Sequence, residues 1–113
     1  MRLEIHSDPP PLRLDLGDQV RVGPTRVTLQ TVMYEFLQGL SAEEIVARFP
    51  TLSLADVYAT IAYYFRHRDE VDAYLKEVWE EEERAIAEAR AQQAKEGIRE
   101  RLEQRRRQML RPG

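Results

Sequence analysis

The chain of 113 residues contains no cysteine and only two histidines. Without cysteine it can form neither a disulfide framework nor a thiolate metal site. The histidines, His6 and His67, lie far apart and have no ligand partner at helical spacing, so we expect no bound metal. The sequence also lacks a glycine-rich phosphate loop, a nucleophile elbow and clustered acids in an apolar setting. We therefore expect a protein that is not an enzyme and that needs no cofactor.

Long apolar runs are also missing. No segment approaches the length of a membrane span, and the N-terminus lacks the basic and then apolar pattern of a signal peptide. These two features predict a cytoplasmic protein that does not associate with a membrane. The length corresponds to one domain at most, with additions at its ends.

Charged residues are abundant but unevenly distributed. Asp, Glu, Lys and Arg make up 33% of the chain, above the share of about a quarter that is usual in globular proteins. Residues 1–75 contain seven arginines, no lysine and eleven acidic residues, a net charge of −4. Residues 76–113 contain ten basic and nine acidic residues, a net charge of +1. The acidic first part is poor evidence for a surface that binds phosphate.

Alternating apolar and polar residues near the N-terminus predict a small β-hairpin. Before it, Asp8-Pro9-Pro10-Pro11 cannot join a helix, so residues 1–11 are predicted to form a flexible arm. The alternation runs through residues 12–16, stops at the turn pair Gly17-Asp18 and resumes over residues 19–22. A lone two-stranded hairpin is marginal in water. We therefore expect it to pack on helices or to pair with a second copy in a homodimer.

The most informative motif is a pair of serine-capped helix starts, Ser41-Ala42-Glu43-Glu44 and Ser53-Leu54-Ala55-Asp56. In each, an acidic residue three positions after the serine is typical of a helix N-terminus. Pro50 lies between the two motifs and ends the first of these helices. Two helices joined by so short a turn predict a helix-turn-helix, a motif that often binds DNA.

A helix before this pair and a longer helix after it complete the predicted fold. Apolar residues at helical spacing over residues 29–37 indicate a first helix that ends at Gly39. After a break near His67, a sequence rich in Ala, Glu, Arg and Gln predicts a long charged helix. The fold class is thus mainly α. An N-terminal β-hairpin precedes a helix-turn-helix three-helix core in residues 12–75, and residues 76–113 form a charged helical tail that either projects into solvent or is ordered by a partner.

Residues from Val20 to Leu75 resemble a small prokaryotic family, the domain of unknown function 433 family. The motifs that carry the resemblance are Gly23-Pro24-Thr25-Arg26-Val27, Leu37-Gln38-Gly39, Ser41-Ala42-Glu43-Glu44-Ile45, Phe49-Pro50 and Asp56-Val57-Tyr58-Ala59. The resemblance implies a helix-turn-helix fold that is usually dimeric. It also implies a role as the VapB-type antitoxin of a toxin–antitoxin pair, beside a ribonuclease-like toxin.

Operator DNA is one partner that this interpretation predicts. The third helix would be the recognition helix, and the turn before the first helix could contact a phosphate. The predicted DNA-binding residues are Arg26, Thr51, Ser53, Ala55, Thr60 and Arg66. Before Arg66 the third helix lacks Arg, Lys, Asn and Gln, the residues that usually make bidentate contacts with bases. A protein-interaction or assembly module with the same fold that does not bind DNA is therefore the alternative.

The basic residues near the C-terminus suggest a protein partner. Residues 92–113 have a net charge of +4 and include Arg111. Such a run is usually a solvated face, but it could also hold DNA phosphates or pair with the carboxylates of a ribonuclease site. The predicted partner-binding residues are Arg99, Arg101, Leu102, Arg105, Arg106, Arg107 and Met109. The predicted function is an antitoxin-like DNA-binding regulator that neutralises a toxin through its C-terminal helix.

Overall fold

A computed structural model describes residues 1–110 of the chain. In chain order its elements are β1 (Leu12–Leu14), β2 (Val20–Val22), α1 (Leu29–Leu37), α2 (Ala42–Arg48), α3 (Leu54–Arg66) and α4 (Arg68–Met109). The chain divides into two compact units, one of residues 1–75 and one from residue 76 onward. The predicted fold class, mainly α with an N-terminal hairpin and a long C-terminal helix, is confirmed.

The hairpin has the antiparallel pairing that the alternating residues predict, with β1 and β2 in register over three residue pairs. In its turn the positive φ of 60° belongs to Asp18 and not to Gly17. The Asp15 carboxylate accepts hydrogen bonds from the Gly17 and Gln19 amides and from the Arg21 guanidinium, the last at 2.8 Å. The Arg21 bond, followed by the amide bonds, holds the pKa of Asp15 below its ordinary value.

Each of the three short helices is capped at its N-terminus by a side-chain hydroxyl. The Ser41 hydroxyl accepts a hydrogen bond from the Glu44 amide, and the Glu44 carboxylate accepts one from the Ser41 amide, both at 3.1 Å. This reciprocal pair is a complete capping box. The Ser53 hydroxyl accepts from the Asp56 amide at 3.1 Å at the start of α3, and Thr28 caps α1. The paired motif in the sequence thus forms two consecutive, capped helices.

The core of the first unit lies between the hairpin and the three short helices. Its central side chains come from β2, α1, α2, the α2–α3 turn and α3, and none is more than 4% exposed: Val22, Val32, Ala42, Ile45, Leu52 and Val57. The apolar faces of α1 and α3 extend beyond this core. Leu37 on α1 and Tyr58 and Phe65 on α3 are 51%, 50% and 57% exposed. The first unit therefore presents apolar surface to solvent.

The predicted break at His67 separates α3 from α4. His67 has φ −125° and ψ 42°, and its amide donates to the Tyr63 carbonyl at 3.0 Å. Val71 and Leu75, in the first turns of α4, are buried. Beyond Trp79, the described side chains of α4 are exposed. No helix within residues 1–110 is both long and apolar enough to cross a membrane.

Candidate binding surfaces

The predicted DNA-binding residues lie in several different environments. Arg26 and Thr51 line one depression of about 550 Å³, together with Thr28 and Thr31 at the N-terminal end of α1. The Ser53 hydroxyl already accepts the hydrogen bond that caps α3. The structure therefore brings together Arg26 and four threonines beside the start of α1, since Thr25 also lines the depression. Of these five residues, only Arg26 and Thr51 are among the predicted DNA-binding residues.

Thr60 requires a correction. It was predicted to face outward on α3, but it is 0% exposed, and its hydroxyl donates to the Asp56 carbonyl at 2.7 Å. Thr60 lies three and four residues from the buried Val57 and Tyr64, on the same face of the helix. A hydroxyl bonded to a carbonyl of its own helix can enter a core without leaving a polar group unpaired. The predicted exposure of Thr60 is wrong, and its side chain cannot reach DNA.

The outer face of α3 is largely apolar. Tyr58 and Phe65 are about half exposed, while Ala55 and Arg66 are exposed near the two ends of the helix. The Tyr58 hydroxyl donates to the Glu43 carboxylate of α2 at 2.6 Å. Base recognition relies on basic and amide side chains, and within α3 only Arg66 belongs to these types. This face is better suited to contact another protein than to read bases.

The hydrogen bond between Tyr58 and Glu43 shifts the pKa values of both side chains, and this effect can be tested. It lowers the pKa of Glu43 and raises the pKa of Tyr58, because the hydroxyl stabilises the ionised carboxylate. Replacing Tyr58 with phenylalanine is expected to raise the pKa of Glu43 toward the ordinary value for glutamate. An NMR titration of the carboxyl carbons measures the change. Glu44, whose pKa is lowered by its bonds to Ser41, is the internal control and should not shift. An unchanged pKa at Glu43 would contradict the bond.

Residues 92–110 of α4 form a second candidate surface. An α-helix turns by about 100° per residue, so Ile98, Leu102 and Met109 lie on one stripe along it. Their side chains are 56%, 63% and 78% exposed. Two shallow depressions of about 310 Å³ each follow this stripe, and both include Leu102 and Arg106 in their lining. We refer to Ile98, Leu102 and Met109 as the apolar stripe.

Basic and acidic side chains are separated around the apolar stripe. By the same helical geometry, basic residues lie along both edges of the stripe: Lys95, Arg99 and Arg106 along one, and Arg101 and Arg105 along the other. Glu96 and Glu100 lie on the opposite face, whereas Glu103 lines one of the two depressions beside Arg99 and Arg106. Apolar side chains bordered by positive charge and backed by negative charge form an amphipathic surface.

Most of the predicted partner-binding residues belong to this surface. Arg99, Arg101, Leu102, Arg105, Arg106 and Met109 lie on or beside the apolar stripe, whereas the same geometry places Arg107 on the glutamate face. Ile98 and Lys95 were missed by the sequence analysis. The spacing of four residues between Ile98 and Leu102 would have identified the first of them. Arg111 lies outside the described residues.

Neither histidine belongs to a cluster of metal ligands. The His67 ring packs against the Tyr63 ring with centroids 4.3 Å apart, and His6 lies in the exposed N-terminal segment near Glu4. Over residues 1–110, no group of three or more His, Cys, Asp or Glu side chains is placed to hold a metal ion.

The fold and these surfaces define a small, mainly helical domain followed by a charged helix. Residues 16–64, which include β2, α1, α2 and most of α3, match the model of the family described as "Protein of unknown function (DUF433)". The resemblance found in the sequence is confirmed, because these residues are similar to that family. Comparison with curated proteins and with solved structures found no match.

Proposed function

We propose that the chain is an antitoxin-like regulator that holds a partner protein through the apolar stripe of α4 and operator DNA through the depression at Arg26 and Thr51. It acts by binding alone and neither makes nor breaks a covalent bond. The separation of apolar, basic and acidic side chains around residues 92–110 is the observation that carries this proposal. Burial of exposed apolar side chains stabilises a complex, and exposed apolar surface edged by polar residues is typical of interaction sites.

An apolar groove edged by carboxylates is the partner surface that fits α4 best. The apolar stripe would fill the groove, in the way that amphipathic helices bind grooves in other proteins. Arg101, Arg105 and their neighbours would pair with the carboxylates, because a guanidinium matches a carboxylate in two parallel hydrogen bonds. A ribonuclease-like toxin, the partner that the family resemblance implies, would offer such carboxylates in its active site.

The depression at Arg26 and Thr51 supports the DNA part of the proposal. Arg26 supplies a positive charge, and the Thr51 hydroxyl can donate a hydrogen bond to a phosphate. The Thr28 and Thr31 hydroxyls bond each other at 2.8 Å, so that one of the two retains a proton to donate. The N-terminal end of α1, capped by Thr28, adds the positive end of a helix dipole. Phosphate contacts position a protein on DNA without reading its sequence. Since α3 offers only Arg66 for base contacts, we expect weak sequence discrimination.

The hairpin supports the proposed homodimer. Leu14 on β1 is 66% exposed, and Leu16 in the turn is fully exposed. A second copy that packs against the hairpin would cover both leucines and protect the strand edges. A dimer would also present two DNA-binding depressions to one operator.

A protein-interaction or assembly module that does not bind DNA is the second candidate. The half-exposed Tyr58 and Phe65 favour it, because they occupy the face of α3 where a recognition helix would carry its base-reading residues. The acidic net charge of residues 1–75 also favours it.

Deletion of residues 92–113 tests the partner part of the proposal. A chain that ends at residue 91 keeps every buried side chain of the described structure. We expect its first unit to unfold at the same temperature as that of the full chain. We also expect it to lose co-purification with the product of the adjacent gene. A shortened chain that still captures this product would contradict the assignment to residues 92–110.

Titration of the chain's own promoter fragment, measured by fluorescence anisotropy, separates the two candidates. For the regulator, affinity should fall steeply as salt is raised, because phosphate contacts release counterions. Arg26→Ala should weaken binding several-fold, whereas Arg84→Ala on α4 is the matched control and should not. The absence of binding at low salt would favour the assembly module.

A further inference from the structure

The apolar stripe continues toward the start of α4 as a row of alanines. Ala87, Ile98 and Met109 are spaced by eleven residues, and Ala91 and Leu102 have the same spacing. Eleven residues complete three helical turns, so such residues form a line along the helix. The first part of this line carries small side chains and the second part carries large ones. A second helix that runs in the opposite direction would match large side chains with small ones.

Charge changes sign along the same helix. Residues 76–91 have a net charge of −3 and include the run Glu80–Glu83, whereas residues 92–113 have a net charge of +4. Two copies of α4 in parallel orientation would place like charges side by side. In antiparallel orientation the acidic part of each copy faces the basic part of the other, which is the favourable arrangement.

We infer that residues 80–109 of α4 pair in antiparallel orientation with the same residues of a second copy of the chain. The register that matches size and charge places Ala87 opposite Leu102 and Ala91 opposite Ile98. Ala94 then lies next to the two-fold axis. Each contact occurs twice because a two-fold interface uses the same surface on both copies. The alanines allow close approach, so that Ile98 and Leu102 of each copy become buried.

Two pairs of opposite charges lie along one edge of this interface. In this register the position directly opposite Glu88 is two residues from Arg99 of the second copy. The position directly opposite Glu81 is two residues from Arg106 of the second copy. Lys95 of each copy lies near the two-fold axis, but its long side chain can extend into solvent. Each exposed ion pair contributes little to affinity. The same register places Arg84 opposite Arg105 and Arg90 within two residues of Arg101, so the opposite charges favour the antiparallel orientation only in sum.

This pairing goes beyond the proposed function because it needs neither DNA nor a partner protein. It would cover Ile98 and Leu102 in the free protein, so a partner that binds the apolar stripe has to displace the second copy. Its test uses the chain alone, and its failure would leave the tests with the adjacent gene product and the promoter unaffected.

Cysteine cross-linking of the full chain tests the pairing, since the chain has no native cysteine. Ala94→Cys should form a disulfide-linked dimer under mild oxidation, because the two copies of residue 94 lie beside the axis. Ala87→Cys, on the same stripe, is the matched control. Its two copies would lie about 22 Å apart along the pair, beyond the reach of a disulfide. The double variant Ala87→Cys/Leu102→Cys should cross-link again.

Two outcomes of this experiment would overturn the pairing. One is cross-linking of Ala87→Cys as efficient as that of Ala94→Cys, which would indicate a parallel pair. The other is the absence of cross-linking in all three variants, with helical content unchanged in circular dichroism. A dimer held through the hairpin alone would give this second result, because it does not bring the two copies of residue 94 together.

Charge reversal in the Ala94→Cys background tests the orientation independently. Glu81→Arg with Glu88→Arg makes the edge wholly basic, and Arg99→Glu with Arg106→Glu makes it acidic except for Lys95 beside the axis. The cross-linking yield of each variant alone should be at least about tenfold lower than that of the Ala94→Cys protein. An equimolar mixture of the two should regain the dimer as a heterodimer, because opposite charges then face each other in both halves. Wild-type yields in the separate variants, or no recovery in the mixture, would overturn the inferred register.

Discussion

Replacement of Ile45 by alanine is expected to lower the free energy of unfolding of residues 1–75 by about 3 kcal/mol. Ile45 is 0% exposed and packs in the cluster that includes Val22 of β2, Val32 of α1 and Val57 of α3. Removal of three buried carbons loses their transfer free energy and leaves a cavity where four elements meet. The elements cannot all close this cavity, because each is also held by its other contacts.

Urea denaturation followed by tyrosine circular dichroism measures this loss, since all five tyrosines lie in residues 1–75. Val46→Ala is the control on the neighbouring position. Val46 is only partly buried at the margin of the same core, so its loss should be less than half as large. Equal losses at the two positions would contradict the placement of Ile45 at the centre of the core.

Replacement of Arg48 by methionine is expected to lower the free energy of unfolding of residues 1–75 by about 2 kcal/mol. The Glu35 carboxylate on α1 is 11% exposed and accepts a hydrogen bond from Arg48 Nη1 of α2 at 2.6 Å. Without the guanidinium, a largely buried carboxylate loses its partner, which costs about 3–5 kcal/mol at fully buried sites. The Arg48 side chain is 59% exposed, so solvent screens the pair and the expected cost is smaller.

A double-mutant cycle isolates the pair from the other effects of the substitution. In a Glu35→Gln background the carboxylate is absent. Arg48→Met should therefore lower the free energy of unfolding by less than about 1 kcal/mol in that background. The four proteins are compared by urea denaturation at neutral pH. The same cost of Arg48→Met in both backgrounds would mean that Glu35 and Arg48 are not coupled.

Local features of the fold were predictable from the sequence because neighbouring residues determine them. Ser41 and Glu44 can complete a capping box only at a helix N-terminus, and alternating residues fix the register of a short hairpin. The environment of Thr60 could not be predicted in this way. Its burial depends on which face of α3 packs against the rest of the core, and its hydroxyl is compatible with either face once it bonds to the Asp56 carbonyl.

The position of the candidate site along α4 was predictable from the sequence, but the arrangement of its residues around the helix was not. A count of arginines identifies the basic segment, yet it includes Arg107, which the helix places on the glutamate face. Ile98 was overlooked because the prediction followed the arginines, although its spacing of four residues from Leu102 places the two on one face of a helix. The depression at Arg26 and Thr51 depends on the tertiary packing of two turns, which no local pattern contains.

The surfaces differ in how well they suit the two proposed partners. The first unit has an acidic net charge, and Tyr58 and Phe65 on α3 are half exposed. Both features make this unit poorly suited to contact bases. The apolar stripe of α4 has both the exposed apolar area and the bordering positive charge that an acidic protein groove requires. Partner binding by residues 92–110 is therefore the central claim, and DNA binding is the part that the promoter titration decides.

Calorimetric titration of the full chain with the adjacent gene product tests this claim most directly. Arg101→Glu with Arg105→Glu reverses the charge beside the apolar stripe, whereas Glu96→Lys with Glu100→Lys changes as many charges on the opposite face. We predict that the first pair lowers affinity at least about 100-fold, as loss of desolvated charge pairs does. The second pair should leave affinity within about threefold. Equal effects of the two pairs, or wild-type affinity in the first, would contradict the proposed function.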